Sequence, residues 1–206
     1  EIEKDGFKIT NKIEVLLSND TNSGVSKAVG LGVISFTDVF KIHNLDIVLV
    51  LGDRFEVFSA VQAASFLNIK IAHIHGGETT EGVIDENIRH SITKFSHWHF
   101  VTAEDYKNRV IQMGENPKTV FNVGSPGLDK IKNLKFLNRT QLQNQFGVNF
   151  QNKIFLVTYH PLTLDMKKQA LGLDELLRAL ETFENVTIIF TFSNADAGGR
   201  KIIRLI

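Results

Sequence analysis

Apolar residues fall along this chain in two alternating patterns. Short, mainly apolar runs have the length of strands: Ile47-Val48-Leu49-Val50-Leu51, Ile69 to Ile74, Trp98 to Val101, Thr119 to Val123, Ile154 to Val157 and Val186 to Phe190. Between them, apolar residues recur every three or four positions. Val25, Val29, Val33, Phe36 and Phe40 do so within Thr21 to Asn44, and Ile84, Ile88, Ile92 and Phe95 along a helix from Asp85. Glu56 to Leu67 has a wide apolar face, and Leu173, Leu176, Leu177, Leu180 and Phe183 repeat the helical spacing further on. A strand covered on both faces reads as an uninterrupted apolar run, so Ile47 to Leu51 predicts a buried parallel strand. Strands alternating with helices predict an α/β fold with parallel sheets and right-handed crossovers.

The punctuation refines this outline. Lys12 to Ser18 predicts a further short strand, and Gly24, Gly30 and Gly32 weaken the helix that follows. Thr102 and Asp105 have the spacing of a capping box for a helix closing at Gly114. Gly124-Ser125-Pro126-Gly127 is turn chemistry, and the polar, lysine-containing stretch to about Asn149 marks a change of lobe. The expected division is a first Rossmann-like lobe over residues 1–135 and the start of a second over 136–206. Glu1 to Thr10 is charged and uncommitted, and Lys201 to Ile206 looks like a helix cut in mid-course, so an internal fragment of a longer polypeptide is expected.

Composition narrows the classes. With 206 residues the chain holds one sizeable domain or one and a half. Its 23 basic and 23 acidic side chains balance, so no global charge argues for nucleic acid or an anionic membrane as partner. The absence of cysteine excludes disulfides and thiolate metal sites and fits a reducing compartment, so a cytoplasmic location is expected. No apolar run reaches membrane-spanning length.

Candidate chemistry concentrates between Gly52 and Arg89. Asp53 and Arg54 follow the first buried run; His75, two glycines and Glu78 follow the second; Asp85 and Arg89 share one face of the next helix. Ligands in open α/β sheets bind beyond the carboxyl ends of the strands, so these groups should converge on one crevice, with Gly76 and Gly77 letting the backbone come close to a ligand. The later strands also end in polar groups: His160 with Pro161 after one, Ser193, Asn194 and Asp196 after the other. Plainer readings exist for each. Asp53 with Arg54 suits a surface ion pair, Asp85 with Arg89 a helix-surface pair, Gly76-Gly77 a mere turn, and His160 an extended turn residue. The spacing of His73 with His75, and of His97 with His99, suggests metal ligands, yet a zinc site needs a third ligand that the sequence does not identify. No metal and no cofactor are expected, and His97 and His99 read as structural.

Taken together, GDRFE, HIHGGE, IDENIRHSITK, NVGSPGLDKI, TYHP and SNADAGGR resemble the hydrolysing UDP-N-acetylglucosamine 2-epimerases of sialic-acid and related nonulosonic-acid synthesis, over about Leu49 to Arg200. The resemblance implies a glycosyltransferase-B-like fold of two Rossmann-type lobes with the nucleotide sugar between them. It implies release of UDP with inversion at C2, giving N-acetylmannosamine. By position, Asp53, Glu78 and Asp85 match acidic positions of the motifs, Arg54 and His160 ligand-binding positions, and Asn194 an asparagine at the nucleotide-sugar site. Some members have glutamate where this chain has His75, which leaves the principal base open.

The implied chemistry asks for such groups. Removing the weakly acidic C2 proton needs a carboxylate or imidazole beside it, and cationic groups must receive the diphosphate. A 2-acetamidoglycal intermediate then takes water at C1 and a proton at C2 from the other face. Asp53, Glu78, Asp85 and His75 are the catalytic candidates, and Arg54, Arg89, His160 and Asn194 the substrate-binding ones. A UDP-sugar is the expected partner, within a homo-oligomer, either dimer or tetramer. The alternatives are an epimerase acting on UDP-N,N'-diacetylbacillosamine for legionaminic-acid synthesis, a glycosyltransferase on the same fold, and a sugar-nucleotide-binding module without catalysis.

Overall fold

The computed structural model describes residues 2–17, 21–160, 166–192 and 199–205. The chain forms two compact units, Glu1–Ser125 and Pro126–Ile206, and both are α/β with parallel strands. In the first, the order is α1 (Asn22–His43), β1 (Ile47–Leu51), α2 (Phe55–Phe66), β2 (Lys70–Ile74), α3 (Asp85–Phe95), β3 (Trp98–Val101), α4 (Glu104–Gln112) and β4 (Val120–Asn122). The four strands pair in sequence order, β1-β2-β3-β4, all parallel. The register sets Val50 beside His73 and His73 beside His99, so one face of the sheet carries a row from each strand. On that face Val50 and Ile71 pack with Ala60, Val61, Ala63 and Ala64 of α2 and Ile92 of α3. Burying these side chains, each worth about 1.5 to 3 kcal/mol when large, holds the helices to the sheet.

Three expectations are corrected here. Ile47 to Leu51 does not behave as a strand covered on both sides: among the described residues Val50 is buried, while Ile47, Leu49 and Leu51 are exposed. Lys12 to Leu17 pairs with no strand among the described residues; its Val15 is buried, close to Gly32 of α1. The glycines of α1 do not interrupt it, since Thr21 caps the first turn by accepting from Gly24 N–H at 3.1 Å and the helix runs to a left-handed Asn44. Gly32 is where α2 crosses: a methyl there would lie 2.7 Å from Ser59 Cβ and Oγ. Ser59 Oγ in turn donates toward Val29 O at 3.2 Å, so the glycine exists for helix packing rather than as a break.

The second unit contains α5 (Pro126–Asn133), α6 (Arg139–Phe146), β5 (Lys153–Val157), α7 (Met166–Glu181), β6 (Val186–Phe190) and α8 (Gly199–Leu205). β5 and β6 pair in parallel, and Phe155 meets Phe183 edge-on at 5.0 Å. The polar stretch after Pro126 is not loop alone. Asn138 and Gln141 form a reciprocal capping box that opens α6, and left-handed Gly147 closes it. No helix among the described residues is long and apolar enough to cross a membrane.

Candidate active site

The site is assembled where β1, β2 and β3 end. Gly52 leaves β1 with φ +84°, and its N–H donates to Ile74 O at 3.0 Å. Its carbonyl accepts from His73 Nε2 at 2.8 Å, which makes Nε2 the protonated nitrogen of that ring. His73 is fully buried, and burial lowers its pKa from 6.5 to about 4, against the opposing pull of the Gly52 carbonyl. A neutral imidazole thus pins the turn from which Asp53 projects, and its Nδ1 faces Thr93 Oγ1 at 3.3 Å.

Asp53 accepts a charge-assisted hydrogen bond from Arg89 on α3. The Arg89 side chain is 5 % exposed, and both terminal nitrogens are engaged. One donates to Glu78 O and Glu86 Oε2, each at 2.9 Å; the other donates to Asp53 and to Thr80 Oγ1 at 2.9 Å. Glu86 Oε2 also accepts from Thr80 N–H at 2.7 Å, and its Oε1 meets His90 Nε2 at 3.0 Å. Partial burial pushes the Glu86 carboxyl up, but the Thr80 amide, His90 and Arg89 together outweigh it and leave its pKa below the usual value. This cage stitches the loop after β2 to the first turns of α3, where Asp85 is the opening residue.

His75 lies one residue beyond β2 in the left-handed region, φ +69°, and its N–H donates to Phe100 O at 3.1 Å. Its Nδ1 is 2.7 Å from Glu78 Oε1, which also accepts from Thr102 Oγ1 at 3.0 Å. Thr102 therefore does not cap α4: the N-cap is Ala103, without a side-chain cap, because the hydroxyl is turned to Glu78 instead. The glycines between are closed in by the protein itself. A methyl on Gly76 would sit 3.1 Å from His73 Nδ1 and Thr93 Oγ1, and one on Gly77, at φ +81°, would run into the Tyr106 carbonyl. The missing side chains thus serve close packing against α3 and α4. Arg109 further holds this turn by donating to Gly77 O.

Of the eight residues singled out, Asp53, His75, Glu78 and Arg89 are gathered into this network. Arg54 is the N-cap residue of α2; its guanidinium lies 3.3 Å from Glu56 Oε1 and over the Phe55 ring. His160 follows β5 in the second unit and is exposed. Asn194 lies outside the described residues. The sequence reading missed Thr80, Glu86 and Thr102, and treated His73 only as a possible ligand. Thr102 is visible in the sequence as a hydroxyl at a strand end, but local spacing points it to a helix cap instead of to Glu78 in the turn after β2. His73 and His75 do not act as a pair, since each nitrogen pointing inward meets a different partner. Its neighbour in spacing, His97, accepts from Ile71 N–H at 3.3 Å, a structural contact.

A family model described as UDP-N-acetylglucosamine 2-epimerase matches residues 1–206. The chain belongs to that family. Among curated relatives, a GDP/UDP-N,N'-diacetylbacillosamine 2-epimerase (hydrolyzing) of Campylobacter jejuni is 44% identical over 97% of this chain and 52% of its own length. A UDP-N,N'-diacetylbacillosamine 2-epimerase (hydrolyzing) of Legionella pneumophila is 41% identical over 100% of this chain and 54% of its own. The chain thus spans about half the length of the curated relatives it matches. Among solved structures, a UDP-GlcNAc 2-epimerase of Neisseria meningitidis bound to UDP-GlcNAc superposes with a TM-score of 0.77 at 21% identity, over 98% of this chain and 56% of that one. At that identity the likeness establishes the fold: this family member has the glycosyltransferase-B-like α/β architecture with parallel sheets.

Proposed function

We propose that the protein to which this chain belongs is a hydrolysing UDP-sugar 2-epimerase, inverting C2 of a 2-acetamido sugar and releasing UDP. The observation that carries the reading is the clustering of Asp53, His75 and Glu78 at the carboxyl ends of adjacent parallel strands, with Asp85 opening the neighbouring helix. C2 deprotonation with departure of UDP, followed by water addition at C1 and reprotonation from the opposite face, needs two proton-transfer groups and a receiver for the diphosphate. Asp53, Glu78, Asp85 and His75 are the candidates from which the proton-transfer groups are drawn. Arg54, His160 and Asn194 are assigned to the nucleotide sugar, the last two on the second, nucleotide-binding lobe. Arg89, with both terminal nitrogens occupied by protein acceptors, enters the reaction through Asp53, whose carboxylate it holds.

UDP-N-acetylglucosamine, giving N-acetylmannosamine for sialic-acid-type sugars, is the substrate that the motifs put first. The 44% and 41% identity to two diacetylbacillosamine epimerases favours UDP-N,N'-diacetylbacillosamine as the second reading. The complete protein, offered each sugar nucleotide in deuterated water, should release UDP and a free sugar labelled at C2, and the faster substrate identifies the branch. Tight binding without turnover would instead make the protein a sugar-nucleotide-binding module. Turnover only with an added acceptor would make it a transferase. A homo-oligomer acting in the cytoplasm completes the proposal.

A further inference from the structure

The epimerase reading leaves open which group takes the C2 proton, and the geometry around His75 answers it. Glu78 Oε1 lies 2.7 Å from His75 Nδ1. An ionised carboxylate only accepts, so Nδ1 carries the hydrogen and the lone pair resides on Nε2. Nε2 has no hydrogen-bond partner among the described residues, and the His75 side chain is 25% exposed, which leaves this nitrogen available to a ligand. Glu78 is in turn fixed by Thr102, whose hydroxyl donates to the same Oε1 at 3.0 Å from the end of β3. Three consecutive strands thus contribute: β2 ends at the imidazole, its following turn supplies the carboxylate, and β3 supplies the hydroxyl. The left-handed backbone at His75, which a residue bearing a Cβ seldom adopts, is held by its N–H to Phe100 O. A nucleophile or base oriented by a second group, itself oriented by a third, is the arrangement that activates imidazole elsewhere.

We propose that His75 Nε2 is the base that removes the C2 proton, and that Glu78 and Thr102 are positioning residues acting through it; this rests on the epimerase reading above. The C2–H electron pair becomes the C1–C2 double bond, the C1–O bond breaks, and its pair departs with UDP. The proton stays on Nε2, and the imidazolium so formed faces the Glu78 carboxylate. Glu78 Oε1 is committed to His75 and Thr102, which assigns this carboxylate to holding the imidazole.

The test uses the complete protein and the sugar nucleotide it turns over faster. His75→Gln should lower kcat on the order of 100- to 10,000-fold, and Glu78→Gln and Thr102→Val by smaller factors with KM nearly unchanged. In the His75→Gln background, adding Glu78→Gln or Thr102→Val should change kcat no further, since neither has anything left to act through. Multiplicative losses would overturn the proposal. Long-range proton–nitrogen NMR, with His75→Gln assigning the signal, should find His75 protonated at Nδ1. An Nε2–H tautomer would overturn it whatever the turnover. If neither sugar nucleotide reacts, the epimerase reading and the base assignment fall together, and the tautomer then decides the pairing alone.

Discussion

His73 is buried on β2 between the Gly52 carbonyl and Thr93, and burial lowers its pKa from 6.5 to about 4. In the unfolded chain the same ring binds a proton below about pH 6.5. Between these two values the unfolded state holds more protons than the folded one, so stability falls as pH falls, and it is fully present only above the unfolded value. A shift of this size amounts to about 3 kcal/mol at pH 4, of which about 2 kcal/mol is lost between pH 7 and pH 5. His73→Gln keeps an N–H to reach the Gly52 carbonyl but does not titrate. The single tryptophan, Trp98 on β3, makes fluorescence-monitored urea unfolding a report on the first unit. The wild type minus variant difference in unfolding free energy should therefore shrink by about 2 kcal/mol from pH 7 to pH 5. His99, whose burial acts in the same direction, is present in both proteins and drops out of the comparison. A difference that stays constant with pH would refute the reasoning.

Other perturbations follow from the same network. Asp53→Asn keeps the shape and an acceptor for Arg89, so the fold should persist while turnover drops by about 100-fold or more; near-wild-type activity would remove Asp53 from the mechanism. Arg89→Met strands Asp53 and Glu86 without their buried cation and should cost on the order of 3 to 5 kcal/mol in urea unfolding. Arg54→Ala should raise the inhibition constant for UDP more than it lowers the melting temperature, and an unchanged constant would count against its assignment. Gly77→Ala forces a methyl against the Tyr106 carbonyl at a positive φ, so the first unit should lose about 1 to 3 kcal/mol, measurable by the same fluorescence.

How much of the site was readable depended on where its residues lie relative to the strands. Asp53, His75 and Glu78 were legible because each follows an apolar run closely, and the carboxyl edge of a parallel sheet is where side chains can meet a ligand. Arg89 was legible as a candidate but not in its partner. Helical spacing offered Asp85, four residues back, whereas the fold delivers Asp53 from 36 positions away. Thr102 was misread for the same reason: a capping box is a local rule, and a carboxylate 24 residues earlier in the chain won the hydroxyl.

From the sequence alone came the order of strands and helices from α1 to β4 and the edge of the sheet on which polar groups gather, because periodicity reports local backbone geometry and which side chains avoid water. Only the tertiary structure decided which acid each base meets: that Arg89 holds Asp53, that Glu78 turns His75 by its Nδ1, and that the paired glycines pack closely against Tyr106 and His73. It also showed that Val50 is buried while Leu49 and Leu51 are exposed. Hydrogen bonds between distant residues depend on register and on helix placement to within an ångström, and neither quantity is encoded in any window of neighbouring residues.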